Sequence, residues 1–222
     1  MIHPIWIVAF SGHRPSNGHG RSQAELAACR PRIEATLQQL MAKAKNAGGS
    51  IELLISAAAG ADIETAEVAG DLGIPIHIIL PKPVSDFRQD FEGELESYWP
   101  RAQQLIVAAN APSGDGSFRI ANGRGTSPEC YHDTNIQMIR SADVAMVVWN
   151  GEPAAGLGGT QEFVEEAVRK KIPVAIINPA QNSDVEHKGN WERWPQAEPN
   201  PCLLYTSPSP RDATLSRMPS SA

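Results

Sequence analysis

A glycine-rich turn between a buried strand and a helix is the part of this sequence best suited to bind a ligand. Residues 144–149 form an apolar, β-branched run that predicts a strand buried on both faces. Gly156, Gly158 and Gly159 connect this strand to a helical pattern that starts near Thr160. The first turn of a helix has unpaired N–H groups and the positive end of a dipole, and glycines let a ligand approach them. The turn either binds an anionic or sugar-bearing ligand or only reverses the chain.

A cationic loop follows the first predicted strand. Residues 5–10 predict that strand, and the loop behind it contains His13, Arg14, His19 and Arg21. Such side chains at the carboxyl end of a strand can donate hydrogen bonds to a carboxylate or phosphate. The alternative is a solvated surface loop without a ligand.

A third loop follows the second predicted strand. Residues 52–56 predict this strand, and residues 57–62 lead into a helix that ends near Gly73. Asp62 has the residue type that caps the start of a helix. A cap is therefore the simpler interpretation of Asp62, and a ligand contact is the alternative.

Strands and helices alternate along residues 5–178. Further strands are predicted at residues 74–80 and 173–178, and the amphipathic helix that follows Ser22 is expected to be disturbed at Pro31. The alternation predicts an α/β fold, a Rossmann-like three-layer sandwich with a five-stranded or slightly larger parallel sheet. In the strand order 3-2-1-4-5, the three loops meet at the carboxyl edge of the sheet, where such folds bind ligands.

The remaining segments are assigned by composition and capping residues. The glycine- and arginine-rich stretch 112–127 predicts either a mobile connection or a lid over a site. A helix is predicted from Ser127, which has the residue type of a cap, to Arg140, and it places Tyr131 and Asn135 on one face.

We predict one Rossmann-like domain over residues 1–182 and an irregular segment over 183–201. Residues 202–222 resemble translated adapter sequence, and we predict a disordered, non-native tail there.

Composition excludes several classes of function. The chain has 222 residues, a net charge of -6 and a pI near 5.5, which gives no electrostatic basis for binding nucleic acid or an anionic membrane. Its three cysteines have neither disulfide nor zinc spacing, and the amino terminus is too short to span a bilayer. We therefore predict a cytoplasmic protein with no metal ion and no cofactor. Whether it forms a homo-oligomer stays open.

Four sequence motifs together resemble a known superfamily. They are SGHRP after strand one, GADIETAEVA after strand two, NIQMIRSADVAMVVWNG into strand four, and GGTQEFVEEA. The combination resembles the SLOG superfamily of Rossmann-like nucleotide-binding proteins, closest to its YpsA-like branch, over about residues 5–179. The resemblance implies a nucleotide or nucleotide-derived ligand. With the three loops, it gives these candidate ligand-binding residues: Ser11, Gly12, His13, Arg14, Gly60, Ala61, Asp62, Asn135, Gly158, Gly159 and Thr160.

Some members of the superfamily, the lonely-guy phosphoribohydrolases, cleave an N-glycosidic bond. Their signature has an Arg-Lys pair before strand four and a glutamate three residues after the threonine of the GT motif. This chain has Thr134 and Asn135 at the first place and Phe163 at the second, with Glu162 one residue early. The hydrolysis is therefore not inherited through the resemblance.

Two principal functions remain open from the sequence. The first is a sensor or binding module for an ADP-ribose-like ligand or a nucleoside phosphate. The second is an N-glycosidic-bond hydrolase or a deoxyribosyltransferase-like enzyme, with Glu162 as nucleophile or base and Arg14 neutralising a phosphate. A weaker third alternative is a protein-interaction domain with a vestigial pocket.

Overall fold

A seven-stranded sheet forms the middle layer of the fold. The computed structural model describes residues 3–16, 20–111, 115–121, 126–153 and 156–195. The sheet order is β4-β3-β2-β1-β5-β6-β7, and every neighbouring pair is parallel except β6 with β7. The strands are β1 (Ile5–Gly12), β2 (Ser50–Ile55), β3 (Ile76–Leu80), β4 (Ser117–Ile120), β5 (Val144–Val148), β6 (Val174–Ile177) and β7 (Glu186–Lys188).

Helices cover both faces of the sheet. Helices α1 to α5 contribute to the core on one face, and α6 and α7 contribute to the core on the other. The helices are α1 (Gln23–Ala27), α2 (Arg30–Asn46), α3 (Ala61–Asp71), α4 (Val84–Arg88), α5 (Trp99–Ala109), α6 (Ser127–Ser141) and α7 (Thr160–Arg169). Short 3₁₀ helices are found at Gln89–Phe91, Gly93–Tyr98 and Trp191–Arg193.

The central strand β1 is buried on both faces of the sheet, which explains why its sequence is apolar at successive positions. Trp6, Val8 and Phe10 pack in the core under α1 to α5, whereas Ile7 and Ala9 pack under α6 and α7. All five side chains are buried. Successive side chains of a strand point to opposite faces, so a strand covered on both faces needs apolar residues at every position.

The expected α/β sandwich is confirmed. The five expected strands are β1, β2, β3, β5 and β6, and they have the expected order 3-2-1-4-5 within the larger sheet. Two edge strands were not expected. β4 lies inside the stretch that was predicted to be a mobile connection or lid, and β7 lies in the segment that was predicted to be irregular. Residues 112–114 and 122–125 of the first stretch lie outside the described residues.

Helix boundaries differ from the sequence prediction in detail. The disturbance expected at Pro31 is a break between α1 and α2, with Pro31 in the first turn of α2, where its missing N–H is tolerated. The N-cap of α6 is Thr126 and not Ser127, because Glu129 accepts a hydrogen bond from the Thr126 N–H at 2.6 Å.

The segment after β7 closes part of the core. Trp194 is buried, and its ring lies edge-on to Trp6 with centroids 6.5 Å apart. The segment predicted to be irregular is therefore packed up to this point. The predicted tail at residues 202–222 lies outside the described residues.

Two glycine substitutions test how closely the backbone is packed. A Cβ added at Gly70 in α3 has its nearest contact with Ile76 Cδ1 at 3.9 Å, whereas one added at Gly116 would lie 2.2 Å from the Ile76 carbonyl oxygen. We expect Gly70→Ala to raise the free energy of unfolding by about 0.5–1 kcal/mol. Gly116→Ala should lower it by about 1–3 kcal/mol through overpacking. Urea unfolding measures both, and a Gly116→Ala protein as stable as wild type would contradict the packing beside β4.

Candidate ligand-binding site

A cleft lies at the carboxyl ends of β1 and β5, where the winding of the sheet reverses. These strands pair in parallel up to Gly12 and Val148, so the loops that follow them start side by side. The cleft has a volume of about 360 Å³, within the range of small-molecule sites. The predicted residues that line it are Ser11, Gly12, His13, Arg14, Asp62, Asn135, Gly158, Gly159 and Thr160.

Three predicted residues do not line the cleft. Gly60 and Ala61 lie beneath the loop after β1, where the Ala61 N–H donates to the His13 carbonyl at 3.1 Å. Gly60 has a φ of 101°, and a Cβ there would lie 2.7 Å from the same carbonyl. These two residues therefore support the loop. The third is Glu162, whose contacts are described below.

Other lining residues were not among the sequence candidates. Most lie within a few residues of a predicted loop. Arg21 and Gly156 belong to loops that the sequence indicated, and Tyr131 shares a helix face with Asn135, but none of the three was a candidate ligand-binding residue. They are Arg21, Ser56, Ala58, Ser127, Pro128, Tyr131, Trp149, Glu152, Pro153, Gly156, Leu157 and Gln161.

The Asp62 carboxylate joins the loops after β1 and β2. Its Oδ1 accepts a hydrogen bond from the Gly12 N–H at 3.1 Å, and its Oδ2 accepts from Ser56 Oγ at 2.7 Å and from the Ala58 N–H at 3.2 Å. Asp62 is therefore not the cap of α3, which is Gly60. Burial raises the pKa of Asp62 to about 6, although the hydrogen bonds and the charge of Arg14 oppose this shift.

A hydrogen-bonded chain positions Arg14. Its Nη2 donates to Tyr131 Oη at 3.0 Å, and this hydroxyl donates to Asp90 Oδ2 at 2.9 Å. Lys82 Nζ donates to the other Asp90 oxygen at 2.8 Å. Burial raises the pKa of Tyr131 well above its usual range, so the hydroxyl keeps its proton. The guanidinium is thus held at the wall of the cleft.

The positive charge of the cleft comes from arginine. Arg14 and Arg21 both line it, and the Nε atom of each is buried without a hydrogen-bond partner among the described residues. His13 Nε2 lies 2.7 Å from Asn150 Oδ1. Burial lowers the pKa of His13 from 6.5, so this imidazole is neutral at pH 7. The two guanidinium groups are the groups suited to an anion.

The glycine loop is attached to α6 at Gly158. Asn135 Nδ2 donates to the Gly158 carbonyl at 3.1 Å, and the Gly158 N–H donates to Glu162 Oε2 at 2.7 Å. Glu162 Oε1 lies 2.6 Å from His132 Nδ1. Both carboxylate oxygens of Glu162 are therefore engaged in holding the loop. The N-cap of α7 is Gly159, so Thr160 is the first residue of that helix rather than its cap.

An apolar wall completes the cleft. It is formed by Trp149, Pro153 and Leu157, and Leu157 is exposed. The indole Nε1–H of Trp149 donates to the Glu152 carbonyl at 2.9 Å, which orients the ring. The cleft thus combines cationic groups, a helix start and an aromatic surface.

Comparisons of the sequence with protein-family models and with curated proteins give no match. Within the described ranges, no helix is long and apolar enough to cross a membrane, and no three His, Cys, Asp or Glu side chains are grouped to hold a metal ion.

The raised pKa of Asp62 predicts a pH-dependent stability. The unfolded chain releases this proton near pH 3.8 and the folded chain near pH 6, so the stability that the proton provides is lost as pH rises through this window. We subtract the free energy of unfolding of Asp62→Asn from that of wild type. This difference should fall by on the order of 3 kcal/mol between pH 3 and pH 7. Urea unfolding of both proteins across this range measures the difference. A difference that is constant or that rises with pH would contradict the prediction.

Proposed function

We propose that this protein binds a nucleotide or nucleotide-derived ligand, ADP-ribose-like or a nucleoside phosphate, as a sensor or binding module. The observation that carries the proposal is the convergence of the α7 start with two arginines whose Nε atoms have no hydrogen-bond partner among the described residues. Both features attract an anion, and both line one cleft.

The phosphate of the ligand would bind at the start of α7. This helix has ten residues, begins behind Gly158 and Gly159, and presents its N–H groups and positive dipole end toward the cleft wall. The guanidinium groups of Arg14 and Arg21 add two fixed charges and planar pairs of donors.

The remainder of the cleft suits a sugar and a base. Trp149, Pro153 and Leu157 give an apolar surface on which a flat heterocycle can pack. Ser11, Asn135 and Gln161 provide polar groups of the kind that hydrogen-bond ribose hydroxyls or base edges. A phosphorylated ligand with an aromatic part uses both kinds of surface.

Binding without turnover is favoured over cleavage of an N-glycosidic bond. A nucleophile or general base must lie within hydrogen-bond reach of the reacting atoms. Glu162 does not line the cleft, and its oxygens contact Gly158 and His132. Its role in this proposal is to hold the glycine loop in place.

Substitution of Arg21 tests the proposed phosphate contact. We expect AMP and ADP-ribose to bind wild type, and Arg21→Gln to weaken their binding about 10- to 100-fold, the effect of a hydrogen bond to a charged group. Adenosine, which lacks the phosphate, should bind both proteins equally.

The control for this experiment is Arg88→Gln, because Arg88 pairs with Glu96 on an exposed surface and does not line the cleft. Isothermal titration calorimetry measures the affinity of each of the three proteins for AMP, ADP-ribose and adenosine. No binding of any phosphorylated ligand at millimolar concentration, or equal loss of adenosine and AMP binding, would overturn the proposal.

Substitution of Glu162 separates a binding module from an enzyme. Glu162→Gln replaces the carboxylate with a neutral amide, which weakens the hydrogen bond from the Gly158 N–H and keeps a contact to His132 only where His132 Nδ1 accepts from the amide NH₂. We expect ADP-ribose affinity to fall several-fold, with no release of free base from nucleotides by either protein. Chromatography of a nucleotide panel measures this release. Base release by wild type that Glu162→Gln abolishes would instead establish the enzyme.

A further inference from the structure

Three side chains form a hydrogen-bonded row across neighbouring strands, far from the cleft. Glu52 on β2 places Oε2 2.6 Å from His77 Nε2, and His77 on β3 places Nδ1 2.8 Å from Ser117 Oγ on β4. His77 and Ser117 are paired in the strand register. The row lies near the amino ends of these strands, whereas the cleft lies at the carboxyl ends of β1 and β5.

The partners of His77 favour one tautomer of its neutral ring. An ionised carboxylate only accepts hydrogen bonds, so Glu52 takes the N–H of His77 Nε2 and stabilises that tautomer. His77 Nδ1 then carries a lone pair, which accepts the Ser117 hydroxyl proton. A nucleophile bonded to a base that a third group orients is the general arrangement of an activated serine.

The row is accessible from solvent. The His77 side chain is 14% exposed and that of Glu52 is 19% exposed, and Ser117 is half-buried on an edge strand. The three side chains lie on the face of the sheet that α6 and α7 cover over β1, β3, β5 and β6. A small substrate can therefore approach Ser117 from the edge of the sheet.

A backbone donor lies beside the serine. The Ala121 N–H bonds to the Leu80 carbonyl on β3 at 2.7 Å. Because alternate N–H groups of a strand point in opposite directions, the N–H of Phe118 points away from β3, toward the edge at which no described strand pairs with β4. The N–H of the residue that follows a nucleophile can stabilise a developing oxyanion.

A half-buried arginine lies on the same face. Arg119 follows Ser117 by two residues, a separation of about 7 Å along a strand. Its charge favours a substrate that carries a negative group near the scissile bond.

We propose that Ser117, His77 and Glu52 form a second site, one that hydrolyses small acyl esters. Ser117 Oγ bonds to the carbonyl carbon as its proton passes to His77 Nδ1. The ester C–O bond then breaks, and the leaving alkoxide takes this proton. Water, activated in the same way, attacks the acyl-serine, releasing the acid and restoring the Ser117 hydroxyl.

Covalent labelling tests this proposal without a known substrate. Folded wild-type protein is incubated with a fluorophosphonate probe, and the modified residue is located by peptide mass spectrometry. We expect the adduct on Ser117, and its absence in Ser117→Ala. Hydrolysis of p-nitrophenyl acetate should fall at least about tenfold in His77→Gln and Glu52→Gln, since each removes part of the proton relay.

The control is Ser85→Ala, which removes an exposed serine hydroxyl that donates to Asp86 and should change neither result. Circular dichroism and thermal melting establish that each variant is folded. A wild-type protein without an adduct on Ser117 would overturn the proposal. So would labelling and ester hydrolysis that are unchanged in folded Glu52→Gln.

Discussion

The candidate site depends on the hydrogen bonds of one buried carboxylate. Asp62 is only 3% exposed, and it accepts from the Gly12 N–H, the Ser56 hydroxyl and the Ala58 N–H. An unpaired charge in this position would be strongly destabilising. The three donors and the nearby charge of Arg14 offset part of the cost of burying this charge, although burial still raises the pKa of Asp62. The loops after β1 and β2 are thereby fixed to each other, and the cationic wall of the cleft is fixed with them.

The loop after β5 is held by an independent set of contacts. α6 lies against it, with Asn135 bonded to the Gly158 carbonyl, and a Cβ added at Gly158 would lie 2.6 Å from Tyr131 Cβ. Tyr131 also contacts Arg14. One helix thus connects the glycine loop with the cationic loop, so the two parts of the proposed phosphate site are not positioned separately.

The sequence predicts the five inner strands because each is a continuous apolar run ended by turn residues. It also predicts which loops meet, since parallel strands bring their carboxyl ends to one edge. It does not predict β4, a four-residue strand that is half-exposed on both faces and has only a short alternation. Nor does it show where Glu162 points, because the helix dipole favours an acid in the first turn whatever the carboxylate contacts. Residues such as Ser127 and Pro128 enter the cleft through tertiary packing of α6, which no local pattern encodes.

The two-sided attachment of Gly158 bears on how a ligand associates. A loop that is ordered only by its ligand loses conformational entropy at the moment of binding, and that loss reduces affinity. Here the Gly158 carbonyl and N–H are both bonded within the protein, and its φ of 79° lies in the region that favours glycine. The entropy of this part of the loop is lost during folding instead. Encounter with the start of α7 is then governed by diffusion and by the field of the arginines, not by rearrangement of Gly158.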